Sequence, residues 1–203
     1  MGATRAAQYI AANRRGAAPP IEAFETAALP QVNELLHAAS ALIGHEDNVQ
    51  TRWEEAARRM SRAGGPIRSA EGIREVLARA QEERATFFQT VRVASPSGLG
   101  SAFRLRDMLL CQEAYLAAMA DYIHRGGKSR GSALYTDPQG KKPRAGLSSI
   151  FAFTLDDGSL DSLVQEVLRR EDDFAITWRE VRPIPEGDDF FENVWRAFRQ
   201  GHM

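Results

Sequence analysis

One cysteine, Cys111, is all the thiol chemistry this chain has. A single thiol cannot close an internal disulfide, form a thiolate zinc cage or hold an iron–sulfur cluster. Histidine is scarce too, and His37, His45, His124 and His202 share no metal-ligand spacing. His45-Glu46 opens a zinc-protease pattern, but Val49 stands where the second His must be, so no metal is expected. Net charge is almost absent: 26 Lys/Arg against 27 Asp/Glu leave −1, which gives no global field for nucleic acid or an anionic membrane. The apolar runs are short and broken by charge, so neither a membrane span nor a secretory signal is expected. A cytoplasmic setting fits. Also missing are a Gly-x-Gly-x-x-Gly turn, a nucleophile elbow and a recognisable Ser/His/Asp order, so the expected set of catalytic residues is none.

What is present suffices for one main core, since 43% of 203 residues are apolar. Helical composition dominates the first two thirds. Residues 3 to 13 favour helix, and Gly16 to Pro20 end it. Ile21 to Ile43 reads as helix interrupted at Pro30, which sits comfortably only in a first turn, so Gln31 to Ile43 is the expected helix. Val49, Trp53, Ala56, Ala57 and Met60 then carry helical spacing up to Gly64-Gly65-Pro66. Ser69 is placed to cap the next helix, whose stripe runs through Ile73, Val76, Leu77, Ala80, Phe87, Phe88 and Val91. After a loop at 95 to 101, a long amphipathic helix spans Phe103 to Arg125.

Three long helices with short connections make an up-down-up arrangement the economical solution. The expected fold class is therefore mainly α: an antiparallel three-helix bundle, spectrin-repeat-like, with a small C-terminal α+β appendage. Residues 45–131 would form the bundle. Residues 132–203 would hold a loop to about 150 (Pro138, Gly140, Pro143, Gly146), a short helix over Leu160 to Arg170, and a tail. They also hold a strand through Phe174, Ile176 and Trp178, paired with Phe151 to Leu155 and ended by Pro183 and Pro185.

The long helix runs into Gly126-Gly127-Lys128-Ser129-Arg130-Gly131-Ser132, half of a phosphate-binding loop. The match fails because Tyr122 occupies the place of the first Gly and a helix, not a strand, precedes it. A helix ending with Gly126 as its cap, and His124 and Arg125 in the last turn, explains the run. Gln112 and one of Glu83 or Arg84 interrupt apolar stripes, which predicts an interhelical hydrogen bond. Six Lys/Arg against two Asp in 121 to 150, and twelve Asp/Glu against four Arg in 156 to 192, predict a basic loop facing an acidic tail.

Three stretches carry more. The first is Val49 to Leu77, with Gln50, Met60 and Ile67-Arg68-Ser69-Ala70-Glu71-Gly72-Ile73. The second is Leu105-Arg106-Asp107-Met108-Leu109 through Ser129-Arg130-Gly131. The third is Trp178-Arg179-Glu180-Val181-Arg182-Pro183-Ile184-Pro185 with Phe190-Phe191-Glu192-Asn193-Val194-Trp195. Together they resemble the C-terminal helical domain of the succinate dehydrogenase and fumarate reductase flavoprotein family, which includes L-aspartate oxidase and adenylylsulfate reductase. The tail is closer to a poorly characterised bacterial branch. Of the family's Glu-Ser-Arg-Gly-x-His run only the Ser-Arg-Gly core is present, with Lys128 in place of the acid and Ala133 in place of the His.

The resemblance implies a fragment of a longer FAD-dependent oxidoreductase that transfers hydride between flavin and a small, carboxylate-bearing substrate. Residues 1–44 would be a remnant of the preceding flavin domain and a linker helix, with Gly2 to Ala7 similar to that domain's last helix. The fragment would hold no cofactor itself, FAD belonging to the full-length parent, and would be inactive alone. Its implied partners are the N-terminal FAD-binding domain of the same chain and an electron-transfer subunit. Lys128, Ser129, Arg130, Gly131 and Arg182, with Lys141 nearby, are the implied interdomain contacts. A different class of reading is a self-contained helical interaction module whose aromatic tail, Phe190, Phe191, Trp195 and Phe198, docks a partner helix.

Overall fold

The computed structural model describes residues 2–13, 16, 18–170, 173–182 and 191–201. Within them the chain is mostly helical, with a small strand component divided into two two-stranded sheets. Pro183, Ile184, Pro185, Phe190 and His202, which carried sequence expectations, lie outside the described residues.

Helix α1 (Gly2–Asn13) and helix α2 (Ile21–Ala41) come first. Helix α2 is continuous through Pro30, where an interruption was expected. Proline removes one backbone donor, but here the helix is exposed around Pro30, so water can satisfy the carbonyl that the ring leaves without a partner. The side chains of Thr26 and Gln31 also bond back to the carbonyls of Glu22 and Ala27, at 2.7 and 3.0 Å.

Helix α3 (Val49–Ala63), helix α4 (Ala70–Ala85) and helix α6 (Leu99–His124) pack on one another, α4 most extensively against α6. Ser69 caps α4 as expected, its Oγ accepting from the Gly72 amide at 3.0 Å. The stripe from Ile73 to Val91 is not one helix, however. Thr86 adopts φ −97° and ψ 9°, and the short helix α5 (Phe87–Thr90) follows. The break lets Phe87 bury completely, with Leu42, Val91 and Val93 around it in the first core cluster. Hydrophobic burial of a whole aromatic ring outweighs the lost helical turn. Helix α6 starts at Leu99 rather than Phe103, because the turn Pro96–Gly98 feeds directly into it. A second cluster around Ala63, Ile73 and Leu116 takes in Met60, Met119 and Tyr135.

Asn48 clasps the two ends of the first cluster. Its Nδ2 donates to the Thr90 carbonyl at 2.9 Å and its Oδ1 accepts from the Arg92 amide at 3.0 Å. Both groups of one side-chain amide are thereby satisfied by the last residue of α5 and the segment that follows it.

The second half departs most from expectation. Residues 132 to 150 are not wholly loop, since strand β2 (Leu134–Lys141) pairs in parallel with the two-residue strand β1 (Ile67–Arg68). Pro138 and Gly140 punctuate it without ending it, as an edge strand allows. Gly140 is required by a close approach, because a Cβ there would stand 2.4 Å from the Phe153 backbone. The expected helix over Leu160 to Arg170 is instead strand β3 (Leu163–Arg170), antiparallel to strand β4 (Asp173–Glu180). Phe151 to Leu155 is thus not the partner of β4. Phe153 bridges to Thr136 and Lys141 in the β2 region, and Leu155 to Ser129.

The hairpin docks on α6 through polar contacts. Gln165 and Trp178 stand opposite one another in the register, and both donate to Asp121 Oδ2, at 3.0 and 2.6 Å. Gln165 also donates to the Ala118 carbonyl at 2.9 Å, and Arg125 lies over the Trp178 ring at 5.3 Å. On the other face Arg179 pairs with Glu166 at 2.5 Å. Helix α7 (Phe191–Arg199) closes the described chain, and among the described residues no helix is long and apolar enough to cross a membrane.

Candidate functional site

The Ser-Arg-Gly turn grows out of the end of α6. The amide of Gly126, at φ 86°, donates to the Ile123 carbonyl at 2.9 Å, and the amide of Gly127 donates to the Tyr122 carbonyl at 2.9 Å. These two bonds form a Schellman cap, so Gly126 does what the sequence led us to expect. They also occupy the amides that a phosphate-binding loop would need. Gly127 is confined by packing: a Cβ there would lie 2.4 to 2.5 Å from the Tyr122 ring. The Tyr122 hydroxyl then donates to the Lys128 carbonyl at 2.9 Å, tying the turn back to the helix. Burial, with Asp156 nearby, pushes that phenol above its ordinary pKa.

Four implied contact residues sit side by side in this turn, and Lys128, Ser129 and Arg130 each have a partner within the chain. Lys128 Nζ is 2.8 Å from Asp157 Oδ2. Arg130 reaches Asp161 at 2.8 Å and Asp156 at 3.4 Å. The hydrogen bond to Asp157 raises the Lys128 pKa and holds the Asp157 carboxyl well below the usual carboxylate range. The negative charge of Asp161 raises the Arg130 pKa. The predicted meeting of a basic loop and an acidic segment is therefore made here, by residues 128–130 and 156–161. Ser129 is buried and fully used. Its Oγ accepts from the Tyr135 amide at 2.8 Å and donates to the Tyr135 carbonyl at 3.1 Å, while its amide donates to the Thr154 carbonyl at 3.1 Å. Gly131, at φ 55°, turns the chain so that Ala133 and Arg130 exchange backbone bonds. Arg182 follows β4, is exposed, and makes no hydrogen bond to this turn. Lys141, at the end of β2, is also exposed.

The polar interruptions of the apolar stripes resolve into an interhelical network. Gln112 Nε2 donates to the Ala56 carbonyl of α3 at 3.1 Å, and its Oε1 is buried with no hydrogen-bond partner among the described residues. Glu83 of α4 is paired with Arg59 of α3 and, at 3.1 Å, with Arg79. Arg84 of α4 is paired with Glu113 of α6, which is 1% exposed. Arg79 is raised in pKa by its hydrogen bond to Glu82, with Glu83 adding to it. Each buried carboxylate lies against a guanidinium on another helix, an arrangement that fixes helix register.

Sequence reasoning missed Glu113, Arg59, Asp121 and Asp156. For Glu113 a signal existed, because it lies four residues after Leu109 and three before Leu116, on the buried face of α6. Asp121 gave none, since its partners Gln165 and Trp178 lie more than forty residues away. Among the described residues no group of three His, Cys, Asp or Glu is placed to hold a metal ion, and Cys111 is exposed.

Large apolar side chains stand in water elsewhere. Along α2, Phe24 is 68% exposed, Leu36 59% and Leu35 48%, with Ile21, Leu29 and Val32 also exposed. On α7, Trp195 and Phe198 stack at 5.6 Å with more than half of each exposed. In comparisons with known proteins, no family model, no curated protein and no solved structure matches this chain.

Proposed function

We propose that this chain is the C-terminal structural part of an FAD-dependent oxidoreductase of the succinate dehydrogenase and fumarate reductase flavoprotein type, inactive as an isolated piece. On this reading α3, α4 and α6 are the antiparallel three-helix bundle of that domain, and everything after Gly131 is its α+β appendage. The bundle braces a preceding flavin domain and supplies no group to the chemistry. Hydride transfer between flavin and a small carboxylate-bearing substrate belongs to that domain.

The observation that carries the reading is the apolar flank of α2. Six large apolar side chains on one 21-residue helix are solvated, an arrangement that in a stable protein marks a surface made to be covered. The flavin domain is the proposed cover. The resemblance of Val49 to Leu77, Leu105 to Gly131 and Trp178 to Trp195 supports that choice. In the turn, Lys128 and Arg130 are neutralised by Asp157, Asp156 and Asp161, so a contact there would be a neutral, hydrogen-bonding one.

A second reading is favoured by the Trp195–Phe198 pair, an exposed aromatic stack suited to a partner groove. It makes the chain a self-contained interaction module. The native reading frame upstream of residue 1 separates the two. A strand-to-helix turn carrying Gly-x-Gly-x-x-Gly upstream supports the flavoenzyme reading; a true start codon at Met1 removes it and leaves the module.

A further inference from the structure

A cleft lies away from the Ser-Arg-Gly turn and plays no part in the proposed bracing. It has a volume of about 610 Å³ and is walled by the C-terminal half of α3, strand β1, the first turns of α4, strand β2 and the short turn Ser149–Phe151. Its size suits a small organic molecule. Three arginines, Arg59, Arg62 and Arg68, line it from two segments of the fold. Its apolar lining includes Ile67 and Ile150, which are 37% and 54% exposed.

Two of the three cations are held in place. Arg59 is paired with Glu83. Arg68 donates from Nε to the Gly65 carbonyl at 2.7 Å and from Nη1 to the Tyr135 hydroxyl at 3.0 Å, and it lies over the Tyr135 ring at 5.5 Å. These bonds fix the Arg68 plane, and among the described residues its Nη2 makes no hydrogen bond. Arg62 has no hydrogen bond or ion pair among the described residues, so its full charge is uncommitted. The positive end of the α4 dipole borders the same cleft, since Ser69 and Gly72 line it.

We propose that this cleft binds a small monocarboxylate with an apolar body. The carboxylate would bridge Arg62 and the free edge of Arg68, which is the planar, two-pronged recognition that guanidinium groups favour. The apolar body covers Ile67, Val76 and Ile150. A polyphosphate fits poorly: the cleft has no lysine, the carboxylate of Glu75 shares its wall, and an apolar lining gives nothing to a second or third anionic group. Glu75 likewise disfavours a dicarboxylate.

The test is calorimetric titration of the 203-residue chain with 3-phenylpropanoate, with 3-phenylpropan-1-ol and with inorganic phosphate. Saturable binding of the carboxylate is expected, with the alcohol about tenfold or more weaker, as a lost charge-assisted hydrogen bond demands. Arg62→Ala should weaken the carboxylate about tenfold and leave the alcohol unchanged. Arg62→Gln, which keeps the stem, gives the same comparison if the alanine variant loses helical circular dichroism. Equal affinity for acid and alcohol, phosphate binding as tight as the carboxylate, no saturable binding of the acid, or indifference to both Arg62 variants would each overturn the proposal.

Discussion

Replacing Glu113 by alanine removes one half of the ion pair that joins α4 to α6. The Glu113 side chain is 1% exposed and the Arg84 side chain 17%, so the guanidinium left behind cannot relax fully into water. Breaking such a pair costs about 3–5 kcal/mol when both groups are fully buried. Partial exposure of Arg84 moves the expectation to the lower end, about 3 kcal/mol. For a chain of this size each kcal/mol is about 2–4 °C of melting temperature, so the variant should melt about 6–12 °C lower. Glu113→Gln keeps the shape and an acceptor for the guanidinium and should cost about half as much. The double change Arg84→Met with Glu113→Leu removes both charges and should recover most of the loss. Urea unfolding followed by circular dichroism reads all three variants. A loss below about 1 kcal/mol for Glu113→Ala, or a double variant no better than the single one, would refute the reasoning that the pair is a register lock paid for by mutual burial.

The Schellman cap predicts an order for two neighbouring glycines: Gly126→Ala should cost about 1 kcal/mol for its positive φ, and Gly127→Ala about 1–3 kcal/mol because its Cβ collides with the Tyr122 ring; equal losses in thermal melts contradict this. Asp121→Ala removes the shared acceptor of Gln165 and Trp178, so amide exchange across β3 and β4 should accelerate while α3 and α4 keep their protection; uniform acceleration would mean the hairpin is held otherwise. Asp157 is depressed chiefly by its hydrogen bond from Lys128, so its contribution is present above the unfolded carboxylate pKa and is lost as pH falls through the lower folded value. Carbon-detected NMR titration should place its midpoint below that of an ordinary aspartate, and Lys128→Ala should move it upward; no movement in that variant would assign the depression to Ser159 instead.

Which parts were legible follows from the range of the forces involved. The cap at Ser69 and the end of α6 at Gly126 are decided within one or two turns of helix and stand where the residues implied, whereas the face of α3 does so only in part, with Val49 and Ala56 buried but Trp53 exposed. The break at Thr86 is decided by the site that receives Phe87, built from Leu42 and Val93 on remote segments. Residues 160 to 170 carry apolar spacing that serves either period. Gln165 settles it, because as part of a strand it stands opposite Trp178 and both reach Asp121. Strand β2 was hidden by Pro138 and Gly140, which signal a turn in isolation and an edge strand only when the Phe153 backbone lies against it. Of the candidate site, the Ser-Arg-Gly turn was visible as a motif. Its neutralisation by Asp156, Asp157 and Asp161 was visible only as a charge imbalance, since composition does not say which acid meets which base.

The most direct test of the central claim is hydrogen exchange along α2, compared between the 203-residue chain and its native full-length gene product. If the apolar flank of α2 is a brace for a flavin domain, Phe24, Leu35 and Leu36 exchange fast in the isolated chain and become strongly protected in the longer protein, which also carries bound FAD. Equal exchange in both, or a full-length product that binds no flavin, contradicts the account.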